Sequence, residues 1–254
     1  MGPTIRAEWL KIRSTRSAYV IAALTVSGIG LAALLAWQGV QGWDQLAPAQ
    51  RVHFQAPPME QVLLPLVQLA LGVLGAIAVT SEYATGMIRS SLLAVPRRWP
   101  LLTAKALVVT AIALALGEAF VFGTFGVSHW IVGTRPIPGN TAGLAIEWPV
   151  LVGLGVSVAV VALVGIGLGA ITRAATPAVA AVCALLFMLP ELSHLLPAPW
   201  GPRLEAVLPT PLGMEVAASP HGAILTPATA AAVFCAYVVV PLGAGLLLLA
   251  RRDA

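Results

Sequence analysis

The stretch "SEYATGMIRSSLLAVPRRWP" (residues 81–100) interrupts an otherwise apolar chain, and its position decides how the rest must fold. Only 9% of the 254 residues are charged, yet this stretch holds Glu82, Arg89, Arg97 and Arg98. Long apolar runs flank it on both sides, and about 20 consecutive apolar residues suffice to cross a bilayer. Charge gathered between two such runs reads as a loop at a membrane face.

Composition points the same way. Hydrophobic residues make up 59% of the chain, and mean hydropathy is +0.92. A soluble domain typically carries about 25% charged residues to cover its surface. This chain has too few, so an all-α integral membrane protein is the expectation. Helices are required because backbone groups in lipid must be satisfied within their own segment. A β-barrel would need period-two alternation in short units, which the sequence lacks.

Six spans are expected, at about 18–40, 62–80, 101–127, 150–172, 178–196 and 228–250, within one transmembrane domain covering 1–254. The first follows a basic start but exceeds the roughly 7–15-residue apolar region of a secretory signal, so it should persist as a span. Eleven Lys and Arg residues fall on one set of connecting segments and three on the other, namely Arg51, Arg135 and Arg203. The positive-inside rule then places both termini in the cytoplasm. Residues 4–16 read as an interfacial amphipathic helix, with Ile5, Trp9 and Ile12 on one face and Arg6 and Arg13 on another.

The 81–100 loop is longer than a minimal connector. Ile88, Leu92 and Val95 recur at helical spacing before Pro96 and Pro100 punctuate the segment. Such a stripe on a helix outside the bilayer wants a partner surface, either lipid or protein.

"SEYATGMIRSSLLAVPRR" (81–98) resembles the first cytoplasmic loop of type 2 ABC transporter permeases, the membrane subunits of bacterial ABC exporters. "IRAEWLKIRSTRSAYV" (5–20), "GIGLGAITR" (165–173) and "LLLLARRDA" (246–254) are similar to that family's start, fourth span and ending. The resemblance implies that the loop is a coupling helix seated in a groove of a separate ATPase. Glu82 would be an acid at the membrane boundary paired with a base, with Gly86 allowing close packing. Tyr83, Ile88, Arg89 and Leu92 would complete the coupling surface. Also implied are two ABC ATP-binding subunits, a second permease in a homodimer, and residence in the bacterial cytoplasmic membrane. The expected role is export of an amphipathic or hydrophobic substrate by alternating access.

The chain itself is not expected to be an enzyme or to hold a cofactor. No G-x-x-x-x-G-K-[ST] run occurs, so ATP and Mg belong to the partner ATPase. "GIGLGA" at 165 lies in an apolar span and follows no strand. Gly165 and Gly169 therefore read as a close-packing face for another helix. Nucleic acid is not an expected partner, since no basic stripe is interleaved with aromatics.

Several further positions stand out. Glu118 lies well inside the third span, where a carboxylate is costly and should face protein or a wet cavity. It reads either as polar lining of the translocation path or as an acid near the outer headgroups or bonded to a neighbouring helix. Proton coupling through Glu118, as in a secondary transporter, is the alternative mechanism. Gln68 in the second span invites the same readings. Glu191 and His194 form E-x-x-H after Pro190 near the end of the fifth span, where the resemblance implies an outer gate. One such pair lacks the remaining ligands of a carboxylate metal site, so no metal is expected. Ser128 and His129 are neighbours in sequence and do not face each other on a helix, so they make no nucleophile. Cys183 and Cys235 sit in apolar runs and read as small core residues.

Overall fold

The computed structural model describes residues 2–14, 16–86, 98–217 and 224–251. Among them every regular element is helical. In chain order these are α1 (Gly2–Ser14), α2 (Arg16–Gln45), α3 (Pro48–Arg51), α4 (Met59–Val62), α5 (Leu64–Ala84), α6 (Arg98–Val132) and α7 (Leu144–Thr172). Then follow α8 (Ala175–Cys183), a π-helical turn (Ala184–Met188), α9 (Leu189–Leu195), α10 (Trp200–Ala206), α11 (Pro209–Ala217) and α12 (Pro227–Arg251). Among the described residues, six stretches are long and apolar enough to cross a membrane: Tyr19–Gln45, Met59–Ala84, Leu102–Val132, Leu144–Thr172, Ala175–Leu195 and Pro227–Leu248.

Each expected span falls on one of these, and the helices mostly run further. The second span begins at Met59 and kinks at Leu63, ahead of Pro65, which sits in the first turn of α5. The fourth begins at Leu144 and carries Pro149 inside it. Proline early in a helix removes few hydrogen bonds, so the apolar run before it remains helical. Pro177 sits in the first turn of α8, so the fifth span begins at Ala175.

The centre of the bundle is α7, the most buried of the six. Glycines on several of its faces let neighbours in. A Cβ on Gly165 would collide with the Gly72 carbonyl of α5, and one on Gly167 with Pro241 of α12. At Gly153 it would collide with the Gly213 carbonyl of α11. A Cβ on Gly169 would stand 2.8 Å from the Ala76 carbonyl oxygen, so Gly165 and Gly169 both face α5. Small residues permit such approach, and in lipid close van der Waals packing replaces the hydrophobic drive. The main core joins Leu64, Leu71, Phe120, Val121, Leu154 and Ile166.

Contacts along the helices fix their directions. Gly72 and Ala76 meet Gly165 and Gly169 in register, so α5 and α7 run parallel, and α12 follows them with Gly245 against Ala170. The end of the bundle holding α1, the last turn of α5 and the last turns of α12 is here called the terminal end. At the opposite end, Asp44 receives two hydrogen bonds from Arg135, at 3.0 and 2.9 Å, and Trp43 packs edge-on to Phe54. There α9 to α11 fold back onto the bundle, with Gly201 against the Ser193 carbonyl and α11 lodged against α7 and α12.

Candidate functional site

Four charges from three helices meet inside the terminal end. Lys105 of α6 donates to Glu8 Oε2 of α1 at 2.6 Å and to Glu82 Oε1 of α5 at 3.0 Å. Lys11 of α1 pairs with the same Glu82 oxygen. The Glu82 and Lys105 side chains are 2% and 3% exposed, and that of Glu8 is 7% exposed. Among the described residues, two acids and two bases sum to no net charge. Burying charges in low dielectric costs several kcal/mol per ion, and mutual pairing at hydrogen-bond distance offsets it.

The local sequence explains the arrangement. Ile5, Glu8 and Lys11 recur every three residues, so they share one face of α1, and Ile5 packs against the main core. Trp9, at i+4 from Ile5, is half exposed, and Glu8 is the buried residue between them. Sequence reasoning missed Glu8 and treated Lys105 only as a marker of sidedness. The available signal was position, since an ionisable residue within an apolar run needs a partner.

Tyr83 follows Glu82 and lies beneath Arg173, whose guanidinium carbon is 5.3 Å from the ring centroid. Arg173 caps α7 in the left-handed conformation at φ 57°. The ends of α5 and α7 are thereby joined. Gly86 has φ +71°, and nothing among the described residues lies within 4 Å of a Cβ placed on it. Within this chain, turn geometry is what calls for glycine there. The expected helix after it, with Ile88, Arg89 and Leu92, lies outside the described residues.

The expected path residues occupy different settings. Gln68 is fully buried and tied on both ends: its amide donates to Ser157 Oγ at 2.8 Å, and its carbonyl accepts from Thr210 Oγ1 at 3.2 Å. It therefore bridges α5, α7 and α11. Glu118 lies against Gly155 of α7, where a Cβ would displace its carboxylate. Its Oε2 is buried with no hydrogen-bond partner among the described residues.

At the far end, Pro190 stands in the first turn of α9, and Glu191 and His194 are both exposed. The π-helical turn just before them breaks the regular register of the fifth span. The His129 ring is held between the carbonyls of Phe125 and Ala142, at 3.1 and 2.9 Å, which leaves it engaged by backbone. Among the described residues, no group of three or more His, Cys, Asp or Glu side chains could hold a metal. A cavity of about 600 Å³ opens between α2 and α5, lined chiefly by apolar side chains such as Leu24, Leu31, Leu66, Val73 and Ile77.

The family model described as ABC-2 family transporter protein matches residues 4–190. That range takes in most of α1, the charge cluster, four of the six spans and most of the fifth. A comparison with curated proteins finds none that matches.

Proposed function

We propose a function from one premise: this chain belongs to the ABC-2 family of transporter proteins. As a member it is a multi-pass membrane transport subunit of an ABC transporter, a family that works with an ABC ATP-binding subunit. Our reading is that it is the permease of a bacterial exporter, residing in the cytoplasmic membrane with both termini inside. It works as a homodimer with two ATPase subunits, which hold the ATP and Mg.

The observation that carries this reading is the buried cluster of Glu8, Lys11, Glu82 and Lys105. It binds α1, α5 and α6 together through Glu82 before and Lys105 after residues 87–97, the segment that we assign to ATPase coupling through Ile88, Arg89 and Leu92. A push on that segment would reach α5 and α6 as one body. Closure of the ATPases on ATP would thus be converted to alternating access. The α2–α5 cavity, with an almost wholly apolar lining, favours an amphipathic or hydrophobic cargo such as a drug, lipid or peptide. Pro190, Glu191 and His194, on the element that turns the chain back at the far end, are assigned to an outer gate.

A second reading, proton-coupled secondary transport, is favoured by the unpartnered buried oxygen of Glu118. The two separate in one experiment. The permease is purified with a cognate ATPase, reconstituted in liposomes, and assayed for ATP hydrolysis and export. Stable association with hydrolysis that depends on the permease supports the first reading. Transport that follows a pH gradient without ATP, and is lost in Glu118→Gln, would replace it with the second.

A further inference from the structure

A second cavity, of about 440 Å³, opens at the terminal end between α1 and α6. Ile5, Trp9 and Leu10 of α1 form one wall, and Leu107, Val108 and Ala111 of α6 form the other. Among the described residues, Arg6 is the single charged residue on the lining. Trp9, Leu10 and Leu107 are 44%, 62% and 56% exposed, so the rim is apolar as well. We propose that this cavity binds one phospholipid with an anionic headgroup, its phosphate on Arg6 and an acyl chain along Leu107 and Ala111.

Depth supports this assignment. The third candidate span begins at Leu102, so Leu107 and Ala111 lie roughly 8–14 Å along it at about 1.5 Å per residue. With a hydrocarbon core of about 30 Å inside a bilayer of about 40–45 Å, Leu107 lies near the headgroup boundary and Ala111 within hydrocarbon. An indole with one apolar and one polar edge belongs at this level, and Trp9 is there. Apolar walls at this depth are stable against an acyl chain and costly against water.

Charge supports it independently. At the terminal end, Lys11 and Lys105 are engaged by carboxylates and Arg173 by the Tyr83 ring. Among the described residues, no ion pair or hydrogen bond engages Arg6, which is exposed. A guanidinium presents a planar fork of donors that matches phosphate oxygens, and its aliphatic stem tolerates an apolar rim. A zwitterionic headgroup brings its own cation beside Arg6, whereas an anionic one does not. This inference requires only that the chain spans a membrane, and it stands apart from the transport mechanism.

The test is native mass spectrometry of the full chain with equimolar phosphatidylglycerol and phosphatidylcholine of identical acyl chains. One phosphatidylglycerol should be retained in preference by about five-fold or more, since a basic residue at an anionic surface contributes about 1 kcal/mol. Arg6→Gln should bring the ratio near one without loss of total occupancy. Ala111→Phe, which fills the cavity, should lower retention of both lipids. Equal occupancy by the two lipids in the wild type, or a preference that survives Arg6→Gln, would reduce the site to annular lipid only and overturn the proposal. Should Ala111→Phe fail to fold, Arg6→Gln alters an exposed side chain and decides the matter alone.

Discussion

Lys105 Nζ stands 3.0 Å from Glu82 Oε1, and both side chains are almost wholly buried. The same ammonium holds Glu8, so one lysine satisfies two acids from two helices. Lys105→Met should therefore orphan Glu8 and weaken the tie on Glu82, at a cost of about 3–5 kcal/mol. Adding Glu8→Gln removes the orphan and leaves the Lys11–Glu82 pair, so the double variant should recover most of that loss. Thermal unfolding of the detergent-purified chain measures both. A double variant as unstable as the sum of its parts would mean the pairs do not interact.

Glu82→Gln keeps volume and removes charge, leaving Lys105 with Glu8. Export coupled to a cognate ATPase should fall by about ten-fold, equivalent to about 1.4 kcal/mol of lost coupling. Membrane insertion and expression should match the wild type. Undiminished export in this variant would detach the cluster from the mechanism.

Gly165→Ala and Gly30→Ala should move stability in opposite directions. The first places a methyl against the Gly72 carbonyl and should cost about 1–3 kcal/mol through overpacking. The second has nothing within 4 Å of its new Cβ and sits within α2, where alanine should gain about 0.5–1 kcal/mol over glycine. Parallel melting curves test the contrast.

Gln68→Leu should strand the Thr210 hydroxyl and cut the tether between α5 and α11, costing about 1–3 kcal/mol. Ser157 keeps its bond to the Leu154 carbonyl at 2.6 Å, so α7 should hold its place. Limited proteolysis should then cut faster between α9 and α12 and unchanged elsewhere. Uniform acceleration would indicate general destabilisation.

These sites differ in how far the sequence revealed them. The six spans were legible because an apolar run of bilayer length has few other fates. Their limits were less so: α6 continues through His129, where backbone carbonyls accommodate a polar ring inside the helix. Gly165 and Gly169 announced a close-packed face, but periodicity cannot say which helix arrives there. The same gap hid Glu8. It lies 97 residues from Lys105, and only the docking of α1 across α6 brings the two together. Gln68 read as a polar residue in a span; its partners, Ser157 and Thr210, come from helices that no local pattern joins to α5.

The neutrality of the four-charge cluster has an electrical consequence. Moving one elementary charge across a membrane takes about 2.3 kcal/mol per 100 mV. Two carboxylates and two ammonium groups shifting together carry no such load, so membrane voltage does no net work on their displacement as a unit. Displacement of Glu8, Lys11, Glu82 and Lys105 as a unit should therefore add nothing to any difference in transport rate between polarised and depolarised vesicles.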